Sequence, residues 1–117
     1  MILVTGGAYQ GKTAFAETLL EQQKQAGRDG SLFSQFHVWV KDCMKAERNI
    51  EEELREKLEQ DPDQIIVCNE LGCGVVPMDA FDRKYREAVG RVCTRLAAYS
   101  HKVTRVACGI GMVIKND

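Results

Sequence analysis

The chain has 117 residues, 44% of them hydrophobic and 28% charged, with a formal net charge of −1. That length makes a single domain, residues 1–117, which buries roughly two thirds of its unfolded surface. The charge balance excludes a global field that draws the chain to nucleic acid or an anionic membrane, and no apolar run reaches the roughly 20 residues that span a bilayer.

In chain order, residues 2–5 form a short β-branched-rich apolar run that stops at two glycines, which predicts a buried strand. From Thr13 the period changes: Phe15, Leu19, Gln22/Gln23 and Ala26 share one stripe, while Glu17, Glu21 and Lys24 lie opposite. This predicts an amphipathic helix of about 14 residues, closed by Gly27. A turn at residues 28–31 leads into a second expected strand at residues 31–37, with Trp39 and Val40 either extending it or starting a helix. A helix is expected over residues 51–58, with Asn49 as its cap and Glu52 at capping-box spacing. Asp61-Pro62-Asp63 ends it. Between the first helix and the next apolar strand the expectation is therefore one strand and one helix.

Residues 64–69 read as that strand, followed by the glycine-rich loop Glu70-Leu71-Gly72-Cys73-Gly74. Pro77-Met78-Asp79 starts the longest helix, whose stripe is Phe81, Tyr85, Ala88/Val89, Val92 and Leu96. Residues 102–108 and 112–115 are the last two expected strands, separated by Gly109-Ile110-Gly111. The order β-α-β-α-β-α-β-β defines an α/β protein with a mainly parallel sheet and crossover helices. Five cysteines (Cys43, Cys68, Cys73, Cys93 and Cys108) are odd in number and form no C-x-x-C pair. They read as buried thiols of a reducing compartment rather than a disulfide frame or a zinc site. With no charged leader before the first apolar residues, a cytoplasmic location is expected.

The chemistry-bearing motif is Gly6-Gly7-Ala8-Tyr9-Gln10-Gly11-Lys12-Thr13, which fits G-x-x-x-x-G-K-[ST] without a mismatch. Glycines let the backbone curl so that successive N–H groups converge on phosphate oxygens. The helix that follows points its positive end at the same anion. Lys12 is expected to reach the β- and γ-phosphates of ATP or GTP, and the Thr13 hydroxyl to take one position on Mg²⁺. The context, directly after a strand and before an amphipathic helix, is the one this motif requires. Such a loop is shared by many reactions, so the reaction must be chosen by residues at neighbouring strand ends. Those are Gln35-Phe36-His37, Asn69-Glu70 and Gly109-Ile110-Gly111. Glu70 follows an apolar strand and precedes a glycine-rich loop, which favours a site role over a solvated loop acid. His37 is either a half-buried histidine bonded to backbone or a general base or phosphate donor, and His101 is a surface residue. Phe36 and Trp39 are expected in the core rather than on a ligand-binding surface.

The segments ILVTGGAYQGKT, NELGCGVVP, RKYREAVGRVCTRLA and GIGMVIK occur in this order. Together they resemble the adenosylcobinamide kinase / adenosylcobinamide-phosphate guanylyltransferase family, over residues 1–27 and 64–115. The resemblance implies a P-loop NTPase-like α/β fold, a homo-oligomer (often a trimer), and a corrinoid-like acceptor whose aminopropanol hydroxyl is phosphorylated by ATP or GTP. It also implies a GMP transfer through a guanylylated histidine. On this pattern residues 6–13 hold the phosphates, and Glu70 ligands Mg²⁺ or orients the acceptor hydroxyl. Typical members are longer between the first helix and NELG, where the guanylylated histidine lies, and carry Asn-Gln at Cys93-Thr94. His37 is the only histidine in that region here, so it is also a candidate relocated nucleophile. The expectation is a kinase-type transferase, with guanylyltransferase activity left open because the segment that usually carries the histidine is shortened. The alternatives are a nucleotide-binding regulatory or assembly protein of the same family, and a compact kinase for a different hydroxyl.

Overall fold

A computed structural model describes residues 1–7, 10–28, 30–70 and 79–117. Strand β1 (Ile2–Gly6) runs into helix α1 (Lys12–Gln25). The chain continues through β2 (Leu32–Phe33), α2 (Phe36–Lys45), α3 (Ile50–Gln60) and β3 (Ile65–Asn69). It closes with α4 (Ala80–Tyr99), β4 (Lys102–Ala107) and β5 (Ile110–Asn116). The strands form one five-stranded sheet in the order β2-β3-β1-β4-β5. β1 pairs in parallel with β3 and β4, and β2 pairs in parallel with β3. Only β5 is antiparallel, joined to β4 by a two-residue turn in which Cys108 and Gly109 both have positive φ (52° and 76°). The expected α/β architecture with a mainly parallel sheet is the observed one.

Successive side chains of a strand point to opposite faces, so β1 serves two cores. Ile2 and Val4 pack with Ile65, Val67 and Val106 against Ala16 and Leu19 of α1. Leu3 faces the other way, into a larger cluster with Ile66, Cys68 and Val103 beneath α2, α3 and α4. Phe36, Val40, Leu54, Val89, Val92 and Leu96 line its helical side. Burial of each such side chain contributes about 1.5–3 kcal/mol before entropy is counted. The expected stripe of the long helix is thus largely the observed one, with Ala88, Val89, Val92 and Leu96 buried.

Capping fixes the helix starts. Asn49 Oδ1 accepts from the N–H groups of Glu51 (3.1 Å) and Glu52 (3.2 Å), and Asp79 Oδ1 accepts from Phe81 (2.7 Å) and Asp82 (3.3 Å). At the far end of α4, Lys115 Nζ donates to the carbonyls of Ala97 and Ala98, both at 3.0 Å, which places a cation on a helix C-terminus. The expected helix start at Pro77-Met78 lies outside the described residues.

The middle of the chain departs from the sequence expectation. Residues 31–37 are not one strand: β2 ends at Phe33, and an additional helix, α2, begins at Phe36. Gln35 takes a left-handed conformation (φ 54°, ψ 47°) that turns the chain out of the strand direction. Phe36, Val40 and Cys43 then recur at helical spacing and are fully buried. Phe36 is therefore a core residue, and Trp39 packs on it with ring centroids 4.9 Å apart. Not all the cysteines are buried either. Cys108 is exposed in the β4–β5 turn, while Cys68 and Cys93 meet with sulfurs 3.4 Å apart as free thiols. Cys73 lies outside the described residues. Among the described residues, no helix is long and apolar enough to cross a membrane.

Candidate functional site

The parallel register sets Gly6, the last residue of β1, beside Asn69, the last residue of β3. The pairing runs one step further, with Glu70 N–H donating to Gly6 C=O at 2.8 Å. The loop that starts at Gly6 therefore rises beside Asn69 and Glu70, at the carboxyl edge of the sheet, where open α/β sheets place their ligands. Gly6 has φ 149°, and a Cβ there would collide with the Val106 carbonyl on the neighbouring strand. Gly11, with φ 83°, forms the N-terminal boundary of α1. Only glycine adopts both conformations without strain.

The far side of the loop is held by the β4–β5 turn. Gln10 Oε1 accepts from the Cys108 N–H at 2.6 Å, and Gln10 C=O accepts from the Gly109 N–H at 2.8 Å. The GIG segment singled out in the sequence thus contributes its first glycine, Gly109, as a backbone clamp on the loop. Ala8 and Tyr9 lie outside the described residues.

Lys12 opens α1 and is buried, at 7% exposure. Its Nζ donates to the Gly7 carbonyl, so the ammonium is folded back onto its own loop. Burial pushes this ammonium below the usual lysine value, and the nearby Glu70 carboxylate partly offsets that push. Thr13 is exposed in the first turn of the same helix.

Across from the loop stands His37, in the first turn of α2 rather than at a strand end. Its Nδ1 accepts from the Asn69 N–H at 3.2 Å, and its backbone carbonyl accepts from the Tyr85 hydroxyl at 2.8 Å. A backbone N–H can only donate, so Nδ1 is the unprotonated nitrogen, and the neutral ring carries its proton on Nε2. Burial, and then the Lys12 charge, hold the His37 pKa below the ordinary histidine value. The ring is accordingly neutral at pH 7. Gln10, Gly11, Lys12 and Thr13 on one side, with Gln35, His37 and Asn69 on the other, enclose a cleft of about 370 Å³. A larger groove of about 760 Å³ lies between α3 and α4, lined by Leu54, Leu58, Arg55, Arg95 and Tyr99 among others. It contains none of the phosphate-loop residues.

Glu70 is half-buried, and its two carboxylate oxygens accept from the Arg105 guanidinium. The bonds run from Nε to Oε1 (3.0 Å) and from Nη2 to Oε2 (3.2 Å). This two-pronged pair was not legible in the sequence, since Arg105 lies on β4 and carries no motif of its own. His101 lies on the surface, as expected, with its Nδ1 3.1 Å from the Met1 ammonium.

A loop of this sequence between a central parallel strand and a helix, beside a strand-end acid, defines a P-loop NTPase-like α/β fold. A family model described as cobinamide kinase / cobinamide phosphate guanyltransferase matches residues 20–114, most of the chain. The chain belongs to this family. The matched residues begin after the phosphate loop. Two curated relatives are named bifunctional adenosylcobalamin biosynthesis protein CobU. The one from Salmonella typhimurium is 45% identical over 51 residues, and the one from Escherichia coli is 43% identical over 51 residues. In both, the aligned stretch is 44% of this chain and 28% of the relative's length.

Proposed function

We propose that this chain is a kinase-type transferase that moves the γ-phosphoryl group of ATP or GTP to a hydroxyl of a corrinoid-like acceptor, of the adenosylcobinamide kind. The observation that carries the reading is the convergence of Lys12 and Thr13 with His37 and Asn69 on one cleft. In that cleft the acceptor oxygen attacks the γ-phosphorus in line, the bond to the bridging oxygen breaks, and the nucleoside diphosphate leaves. Lys12, released from Gly7, follows the charge that develops on the β- and γ-oxygens. His37 donates its Nε2–H to a phosphoryl oxygen, and Glu70 orients the acceptor hydroxyl or receives its proton.

Mg²⁺ would be held by the hydroxyl of Thr13, exposed on the cleft wall, and Glu70 would supply a carboxylate ligand as the alternative to its role at the acceptor hydroxyl. When bound, the ion supplies charge neutralisation across the β- and γ-phosphates.

The His37 tautomer bears on the second half-reaction. A covalent GMP–histidine bond at Nε2 needs a lone pair there, and that position carries the proton while Nδ1 accepts from Asn69. This supports a kinase without guanylyl transfer through His37, consistent with a short segment between α1 and β3. A cytoplasmic setting and a homo-oligomer, trimeric by resemblance, belong to the same reading. The free thiols Cys43, Cys68 and Cys93 support the first, and the exposed apolar strand β5 supports the second.

A second reading is a nucleotide-binding regulatory or assembly subunit without catalysis. It is favoured by the engagement of both Glu70 oxygens by Arg105. The two separate on one assay: γ-labelled ATP or GTP, Mg²⁺ and adenosylcobinamide are incubated with the protein and with Lys12→Ala. Labelled corrinoid made by the wild type and not by the variant supports the kinase. Nucleotide binding without transfer to any hydroxyl acceptor supports the subunit.

A further inference from the structure

We propose that Arg105 is a second phosphate-recognising cation of the nucleotide site, held by Glu70 until a triphosphate arrives and then transferred to its terminal phosphate. The inference rests on residues 6–13 forming a triphosphate site, and it adds a residue that no motif in the loop supplies.

Position is the first argument. Arg105 pairs in register with Thr5 of β1, one residue before the loop begins. Neighbouring strands lie about 4.8 Å apart, so the guanidinium starts one strand from the phosphate loop, at the carboxyl edge of the sheet. Its neighbours Thr104 and Val106 are buried, whereas Arg105 is exposed. It is therefore not part of the core.

The partner is the second argument. Glu70 is anchored through its own N–H to Gly6 C=O, at the root of the loop. The guanidinium fork is thus parked on an anion that borders the place where phosphates are expected. A planar fork that grips a carboxylate through two N–H donors matches two phosphate oxygens equally well. A half-exposed pair of this kind adds little to stability, so exchange of one anion for another is not opposed by a large loss. Lys12 makes the same kind of provisional contact, to the Gly7 carbonyl. Lys12 and Arg105 are thus each held by groups of the chain itself.

The exchange makes Glu70 and Arg105 act in opposite directions on binding, which a merely structural ion pair does not. Fluorescent GTP and GDP analogues are titrated in EDTA into wild type, Arg105→Ala, Arg105→Lys, Glu70→Gln and the Arg105→Ala/Glu70→Gln double variant. Arg105→Ala is expected to lower triphosphate affinity about tenfold while diphosphate affinity stays within about twofold, with Arg105→Lys in between. Glu70→Gln is expected to raise triphosphate affinity several-fold, and the gain is expected to vanish in the double variant. Equal weakening of both nucleotides by Arg105→Ala, no weakening at all, or a Glu70→Gln gain that survives without Arg105 overturns the assignment. Wild type that binds neither nucleotide, in EDTA or with Mg²⁺ restored, overturns the nucleotide reading itself. Normal wild-type binding that depends on Lys12 but not on Arg105 overturns only this inference.

Discussion

His37 Nδ1 accepts a hydrogen bond from the Asn69 N–H at 3.2 Å, which ties the first turn of α2 to the last residue of β3. That bond exists only while Nδ1 is unprotonated. The folded state lowers the His37 pKa, through burial and then Lys12, so the unfolded chain binds the extra proton first. Stability from this group is complete above the unfolded histidine value, about 6.5. It is lost as pH falls through that value toward the lower folded pKa. His101, whose pKa is lowered by burial and then by the Met1 ammonium, acts in the same direction. Chemical denaturation between pH 7.5 and about 5 is therefore expected to be steeper in pH for wild type than for His37→Gln. Identical profiles contradict the assigned bond.

Gly6 cannot be replaced. With φ 149° and the Val106 carbonyl where a Cβ belongs, Gly6→Ala must push β1 and β4 apart or twist the loop root. The expected cost is about 2–4 kcal/mol, from combined backbone strain and overpacking. At Gly90, where a Cβ meets nothing, substitution by alanine is expected to be neutral or mildly stabilising. Thermal melts of the two variants check the contrast.

Gln10 holds the loop to the β4–β5 turn twice, through its carbonyl and through its side chain. Gln10→Ala keeps the first bond and removes the second. It is expected to cost about 1 kcal/mol. Because the loop root at Gly6 is untouched, nucleotide affinity is expected to fall by a factor of about 3–10 with the fold retained. Calorimetric titration of the triphosphate checks this. An unchanged affinity contradicts a positioning role for the side chain.

Strand β5 is an edge strand of the sheet, paired only with β4, and exposes Ile110, Met112, Val113 and Ile114. An apolar edge of this kind favours contact with another copy of the chain. Ile114→Lys is expected to shift the protein toward monomer in sedimentation velocity without lowering its melting temperature. A wild type that sediments as a monomer at all concentrations contradicts the oligomer reading.

The parts of this molecule that were legible in the sequence are those fixed by neighbouring residues. Residues 2–13 announce a strand, a glycine turn and a helix because Gly6, Gly11 and the stripe through Leu19 act locally. Asn49 caps α3 as expected, and the α4 stripe from Tyr85 to Leu96 faces the core. α2 was hidden because residues 31–40 are rich in aromatic and β-branched side chains that suit a strand. Burial of Phe36 against Ile66 and Leu54, after the left-handed turn at Gln35, decided for a helix. This also moved His37 from a strand end to a helix N-terminus, still facing the loop. Arg105 and Glu70 are 35 residues apart, and Cys68 and Cys93 are 25 apart. Only the sheet order and the packing of α4 bring each pair together, and no periodicity encodes that.

The central claim is phosphoryl transfer from a nucleotide held by Lys12 to a corrinoid hydroxyl, without a guanylylated histidine. It is tested most directly by parallel incubations with α-labelled and γ-labelled GTP, Mg²⁺ and adenosylcobinamide, followed by separation of protein from corrinoid. The account predicts γ-label in the corrinoid product and no α-label on the protein. Nucleotide bound without any γ-label transferred, or α-label attached to the protein and lost in His37→Ala, contradicts it.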